Sequence, residues 1–181
     1  ALQANVFLPG TGSASANGTF TNILLNSQVL EAFTNAQKAF QSYNDNIAQV
    51  EINKILNSNA TFSIKQKATA LQALLKEPRF DTIKDIFPYK EVEETPYLYN
   101  DCYVIWKGMP TNVVKDDETT TFDLLVGYDT KERLEGKVSV YCNFVSDIDP
   151  EKVISVLSQI KITEENNITL RAITSHQSAK P

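Results

Sequence analysis

Gly136-Lys137-Val138-Ser139-Val140-Tyr141-Cys142-Asn143-Phe144 is the stretch on which the fold turns. Val138, Val140, Cys142 and Phe144 alternate with Lys137, Ser139, Tyr141 and Asn143, a period of two that gives a strand one apolar and one polar face. Upstream, Thr120 to Tyr128 (TTFDLLVGY) and the β-rich run Cys102 to Trp106 read as strands. Downstream, so do Val153 to Ile162 (VISVLSQIKI) and Ile168 to Ile173 (ITLRAI). Five strands within roughly eighty residues predict a small closed or nearly closed barrel. Between the third and fourth, Asp149 can cap and Pro150 suits a first helical position, so one helical turn is expected there.

Ahead of Pro96 the period is about 3.6. Val29, Leu30, Phe33, Ala36 and Phe40 form one amphipathic stripe, and Ile47, Val50, Ile52 and Ile55 a second, with Asn44-Asp45-Asn46 between them. A third helix is expected over 62–76, with Ile64, Ala68, Leu71, Leu74 and Leu75 on one side, Thr61 as N-cap and Pro78 beyond its end. Short helices are also expected over 81–87 and 88–94. Residues 10–22, GTGSASANGTFTN, are small and polar, which reads as a flexible arm. The expected organisation is an arm over 1–22, antiparallel helices over 23–88, a barrel over 89–176 and a tail over 177–181: an α+β chain.

Composition narrows the function classes. The 181 residues carry 17 Lys and Arg against 22 Asp and Glu, a formal net charge of −5, with a pI near 4.9. That is the wrong sign for an electrostatic footprint on nucleic acid or anionic lipid. No apolar run approaches the ~20 residues of a membrane span. The chain starts at Ala1, consistent with a processed form and an N-terminal lipid anchor upstream. Cys102 and Cys142 lack the company of further Cys or His that zinc spacings require, and they read as either buried thiols or a disulfide. Sequons occur at Asn17, Asn59 and Asn167.

Two resemblances can be placed on particular residues. Helices with small residues at Ala32, Ala36, Ala39, Ala48, Ala68 and Ala70 resemble tetratricopeptide-like hairpins. The 34-residue consensus does not fit twice, which leaves a plain three-helix layer equally open. The phrase from Val92 through Pro96, Tyr97 and Tyr99 to Trp106-Lys107-Gly108 resembles the lead-in of bacterial envelope OB-fold modules, in which a first strand ends near Gly. Ser158 stands where those modules carry Gly. The strand order, with its helical turn between the third and fourth strands, is that of the OB-fold, and the whole chain resembles spirochaete-type lipoproteins. The resemblance implies a binding module in the periplasm or cell envelope and transfers no catalytic residue.

Catalysis would need a nucleophile with a base, a carboxylate pair in a cleft, or a metal. The only histidine, His176, lies five residues from the end, on what reads as a tail. No phosphate loop, HExxH or EF-hand pattern is present. Asp116-Asp117-Glu118 and Asp147, Asp149 and Glu151 lack the spacing of a dedicated cation site and read as solvated loop charge, contact with a hard cation such as Ca²⁺ being the alternative. No cofactor and no metal is therefore expected, and the chain is expected not to be an enzyme, a small hydrolase being the remotest alternative. The ligand-contact candidates are Trp106, Tyr128, Lys131, Arg133, Lys137 and Tyr141, placed in the strands where an OB barrel stacks ligands. Yet residues 96–181 hold 13 acidic and 9 basic side chains, which disfavours the single-stranded nucleic-acid alternative. A continuous basic strip over Lys131, Arg133 and Lys137 would favour it. The expected function is non-catalytic binding of a protein partner in the bacterial envelope.

Overall fold

The computed structural model describes residues 20–177. The arm expected over 1–22 lies outside the described residues up to position 19, as does the tail from 178. Two compact units divide between Lys76 and Glu77, not at residue 88.

The helical unit holds α1 (Asn26–Gln41), α2 (Asp45–Leu56) and α3 (Phe62–Gln72). Val29, Ala32 and Ala36 of α1 pack with Ile52 and Ile55 of α2, Ala60, and Ala68 of α3. Ala36, Ala48 and Ala68 are fully covered, as expected where side chains small enough to let backbones approach face a neighbouring helix. Leu30 and Ile47, expected on the stripes, are exposed instead. Leu30 falls one residue off the Val29–Ala32–Ala36–Ala39 row that is buried. The α1–α2 turn closes through Tyr43, whose φ of 58° takes the left-handed region. The Asn44 N–H there donates to the Ala39 carbonyl at 2.9 Å. Helix α3 stops at Gln72, short of the expected 76.

The second unit is a five-stranded barrel with a short helix ahead of it, so the chain is α+β. Strands β1 (Tyr103–Lys115), β2 (Thr120–Val126), β3 (Gly136–Cys142), β4 (Ile154–Ile162) and β5 (Ile168–Gln177) close in the order β1-β2-β3-β5-β4. All pairings are antiparallel except β3 with β5, which is parallel. Val104, Leu124, Val140, Ile154, Val156, Ile160 and Leu170 are fully or almost fully buried in the barrel. Each such side chain contributes about 1.5–3 kcal/mol relative to exposure.

Strand β1 does not end near Gly108. It pairs with β4 up to Gly108 and with β2 from Gly108 onward, so one long strand serves two neighbours. The close approach of the β2 backbone here needs a residue without a side chain, since a Cβ on Gly108 would lie 2.0 Å from the Leu125 carbonyl oxygen. No helix forms between β3 and β4, nor over 81–87. In the first, the Asp149 carboxylate accepts the Glu151 N–H at 3.0 Å, closing only a turn. In the second, the Thr82 hydroxyl accepts the Arg79 N–H at 2.8 Å, and the chain then runs without regular secondary structure to Phe87.

That irregular run belongs to the barrel. The Phe87 carbonyl accepts the Trp106 indole N–H at 3.0 Å, and its ring meets Tyr99 edge-on at 4.9 Å. The helix that packs on this barrel precedes β1: α4 (Tyr89–Glu94), followed by a 3-10 turn over Pro96–Tyr99. Tyr89 lies edge-on to Trp106 at 5.3 Å, in the space left by Gly136, where a Cβ would sit 2.2 Å from the Tyr89 ring. Cys102 and Cys142 are buried and not joined in a disulfide. Burial pushes the Cys102 thiol well above its ordinary range and the Cys142 thiol to about 11.

Candidate functional site

The strand register lays out the outer face of the barrel residue by residue. Thr121 of β2 pairs with Tyr141 of β3, Tyr141 with Arg171 of β5, Arg171 with Gln159 of β4, and Gln159 with Tyr103 of β1. The adjacent row runs Thr111, Asp123, Ser139, Thr169, Lys161. Between these rows lies a groove of about 610 Å³, lined also by Asn112.

Its charged groups are matched in place. The Asp123 carboxylate accepts from Asn112 Nδ2 and Ser139 Oγ, both at 2.9 Å, and sits 3.4 Å from Lys137 Nζ. Those partners, Asn112 first, hold its carboxyl below the usual range. Arg171 donates twice to Gln159 Oε1, at 3.2 and 3.0 Å, and pairs with Glu77 at 3.4 Å. Lys161 pairs with Asp101. Burial, with Glu77 adding to it, raises the half-buried Tyr103 hydroxyl. Asn112 takes a φ of 52° at the irregularity in the β1–β2 pairing, which turns its amide to Asp123.

Of the candidates named from sequence, Lys137 and Tyr141 are on this face. Tyr141 lines the groove and is 47% exposed. Trp106 is not on it: at 4% exposure its indole is spent on the Phe87 carbonyl and the Tyr89 ring. Tyr128, Lys131 and Arg133 are not in strands but in the β2–β3 connection, because β2 ends at Val126 and β3 begins at Gly136. No continuous basic strip forms there: Asp129, Glu132 and Glu135 intervene, Asp129 pairs with Lys107 at 2.9 Å, and Lys137 is matched by Asp123. His176 is not on a tail but in β5, opposite Ser155. Among the described residues no group of three or more His, Cys, Asp or Glu is arranged to hold a metal ion. None of the described helices is long and apolar enough to cross a membrane.

Asp123, Ser139, Lys161, Thr169 and Arg171 escaped the sequence reading. The alternation of β3 does place Ser139 beside Tyr141, but the parallel β3–β5 register that brings Thr169 and Arg171 alongside leaves no local signature.

Comparison with known proteins follows the same division. Residues 81–176 match the family described as the spirochaete C-terminal OB fold, and residues 12–72 match a domain of unknown function, DUF8514. No curated protein matches the chain. Among solved structures, one provisionally identified as an aspartyl-tRNA synthetase from Leishmania major Friedlin is 16% identical, with a TM-score of 0.39 over 56% of this chain and 22% of its own. RecJ from Thermus thermophilus, in complex with Mn²⁺, is 13% identical, with a TM-score of 0.33 over 65% of this chain and 19% of its own. The chain thus spans about a fifth of the length of each of these chains.

Proposed function

Since the chain belongs to the spirochaete C-terminal OB-fold family, we propose that it is a non-catalytic binding module of the bacterial cell envelope that holds a protein partner in the groove across β2, β3 and β5. The observation carrying this reading is the groove itself: an exposed aromatic ring, Tyr141, among hydroxyl and amide groups, with every floor charge already matched. A nucleic-acid backbone is bound by cations free to displace its counterions. Here Lys137, Lys161 and Arg171 have carboxylates beside them.

A hydrolytic reading meets a similar obstacle. Ser139 donates to Asp123, but the lowered carboxyl is a weaker base than an ordinary carboxylate, which does not help it take the hydroxyl proton. The envelope setting rests on the likeness of the 92–108 phrase to envelope modules. The tetratricopeptide-like reading of the helical unit rests on its buried alanines. The test is a photo-crosslinking phenylalanine analogue at position 141 in cells that express the chain. A crosslink to a protein recovered with the envelope is expected. A crosslink to nucleic acid, or only to proteins of the cytoplasm, overturns the reading.

A further inference from the structure

Two turns bound the groove floor, and both are acidic. Thr121, at one end of the first row, stands one residue inside the start of β2, so the β1–β2 turn with Asp116, Asp117 and Glu118 borders that row. Lys161 and Thr169, at the end of the second row, stand one residue inside the end of β4 and the start of β5. The β4–β5 turn with Glu164 and Glu165 borders that row. Asp116 is spent on its own turn, accepting the N–H groups of Glu118 and Thr119 and the Thr119 hydroxyl. Asp117, Glu118, Glu164 and Glu165 are exposed, and no Lys or Arg is paired with any of them among the described residues.

The floor is therefore neutral by pairing while its two rims carry unmatched negative charge. Exposed charges act over about a Debye length, ~10 Å at 0.1 M salt, comparable with the spacing of strands ~4.8 Å apart and same-face residues ~6.7 Å apart along a strand. A cationic side chain lying on the floor is thus within reach of both rims. Tyr141 adds a ring face on which an ammonium or guanidinium can sit.

Resting on the binding-module reading above, we propose that the occupant of this groove is an extended protein segment bearing lysine or arginine, drawn in by the two acidic turns and seated against Tyr141. Its aliphatic stems cover the ring while its charged heads face the rims, and its backbone meets the hydroxyl and amide groups of Thr121, Ser139, Thr169 and Asn112.

The test uses the whole chain and three labelled decapeptides, of alternating Lys-Thr, Gln-Thr and Glu-Thr, together with a single-stranded oligonucleotide. Binding is followed by anisotropy at low and physiological salt, and by amide NMR shifts around Ser139 and Tyr141. The Lys-Thr peptide is expected to bind at low salt and to weaken at physiological salt. It should lose at least tenfold in affinity when Asp117→Asn, Glu118→Gln, Glu164→Gln and Glu165→Gln are combined, and severalfold in Tyr141→Ala. Equal binding of the Gln-Thr peptide, or no effect of the four neutralisations, overturns the cationic occupant while leaving a peptide groove in place. Preferential binding of the oligonucleotide, or no shift around Tyr141 with any peptide at millimolar concentration, overturns both readings.

Discussion

Placing a methyl group on Gly136 tests how α4 is held on the barrel. A Cβ there would lie 2.2, 2.3 and 2.4 Å from Cζ, Cε1 and the hydroxyl oxygen of Tyr89, where carbon atoms prefer about 3.5–4.0 Å. The ring has to retreat by more than an ångström, and it is 7% exposed and edge-on to Trp106. Overpacking of this kind costs about 1–3 kcal/mol, and a buried ring with nowhere to swing puts Gly136→Ala near the top of that range. Tyr89→Ala alone removes a buried aromatic ring, at about 3–5 kcal/mol. With the ring gone, however, the methyl meets open space and should cost under about 0.5 kcal/mol, a coupling of roughly 2 kcal/mol between the sites. Urea unfolding followed by Trp106 emission reads the cycle, because the sole tryptophan is buried in the barrel and reports on that unit. With a slope of about 2 kcal/mol/M, the first substitution alone lowers the midpoint by more than 1 M. Equal costs for Gly136→Ala with and without Tyr89 would refute the reasoning. Gly108→Ala is the contrast, since its methyl meets the Leu125 backbone oxygen and no side-chain deletion should rescue it.

Three further outcomes are expected. The Ser158 hydroxyl is buried without a hydrogen-bond partner, a state that costs about 1–3 kcal/mol; Ser158→Ala should therefore raise the thermal midpoint, and a fall in a melting experiment would show that the hydroxyl has found a partner. The Tyr89 and Tyr99 hydroxyls are pushed up to about 12, first by burial and then by hydrogen bonds to Glu93 and Glu91. A raised folded-state value stabilises the barrel fully below pH 10 and is lost as pH climbs from about 10 to 12, so base-induced loss of native Trp106 emission should fall in that window; Tyr89→Phe and Tyr99→Phe, which have no proton to lose, should flatten it. Because burial raises both thiols, neither Cys102 nor Cys142 should react with a disulfide reagent at pH 8 until urea unfolds the chain; fast labelling of the native protein would contradict their placement.

The sequence is most legible where one face of an element meets the core and the other meets solvent. Strand β3 is the clearest case: Val138, Val140 and Cys142 are buried while Lys137, Ser139 and Tyr141 are exposed, as their alternation requires. Strand β1 reads short in the sequence, as the β-rich run Cys102 to Trp106 with an end near Gly108 implied by the resemblance. Gly108 instead admits the close Leu125 backbone where one strand pairs with both β4 and β2, and Pro110 is buried within the β1–β2 pairing. The helix expected between β3 and β4 is a matter that tertiary packing decides. Asp149 and Pro150 are a sound local start signal, but the aromatic helix that covers the barrel comes from upstream, through Tyr89 over Gly136. Tyr141 and Lys137 can be placed on the groove from strand pattern alone. Their neighbours Thr169 and Arg171 cannot, because they arrive through a parallel pairing between segments far apart in the chain.

That parallel pairing has a further consequence for how the module is made and unmade. It joins Ser139, Val140 and Tyr141 to Thr169, Leu170 and Arg171, three residue pairs where β4 and β5 share nine. Everything before β5 can assemble as an open sheet, in the order β3-β2-β1-β4, with β3 and β4 as raw edges. Such edges template pairing between chains. During synthesis the barrel therefore stays an aggregation hazard until the residues after Ile168 emerge and dock. Later, a protease that clips the β4–β5 turn would leave β5 held by its pairings with β3 and β4 alone.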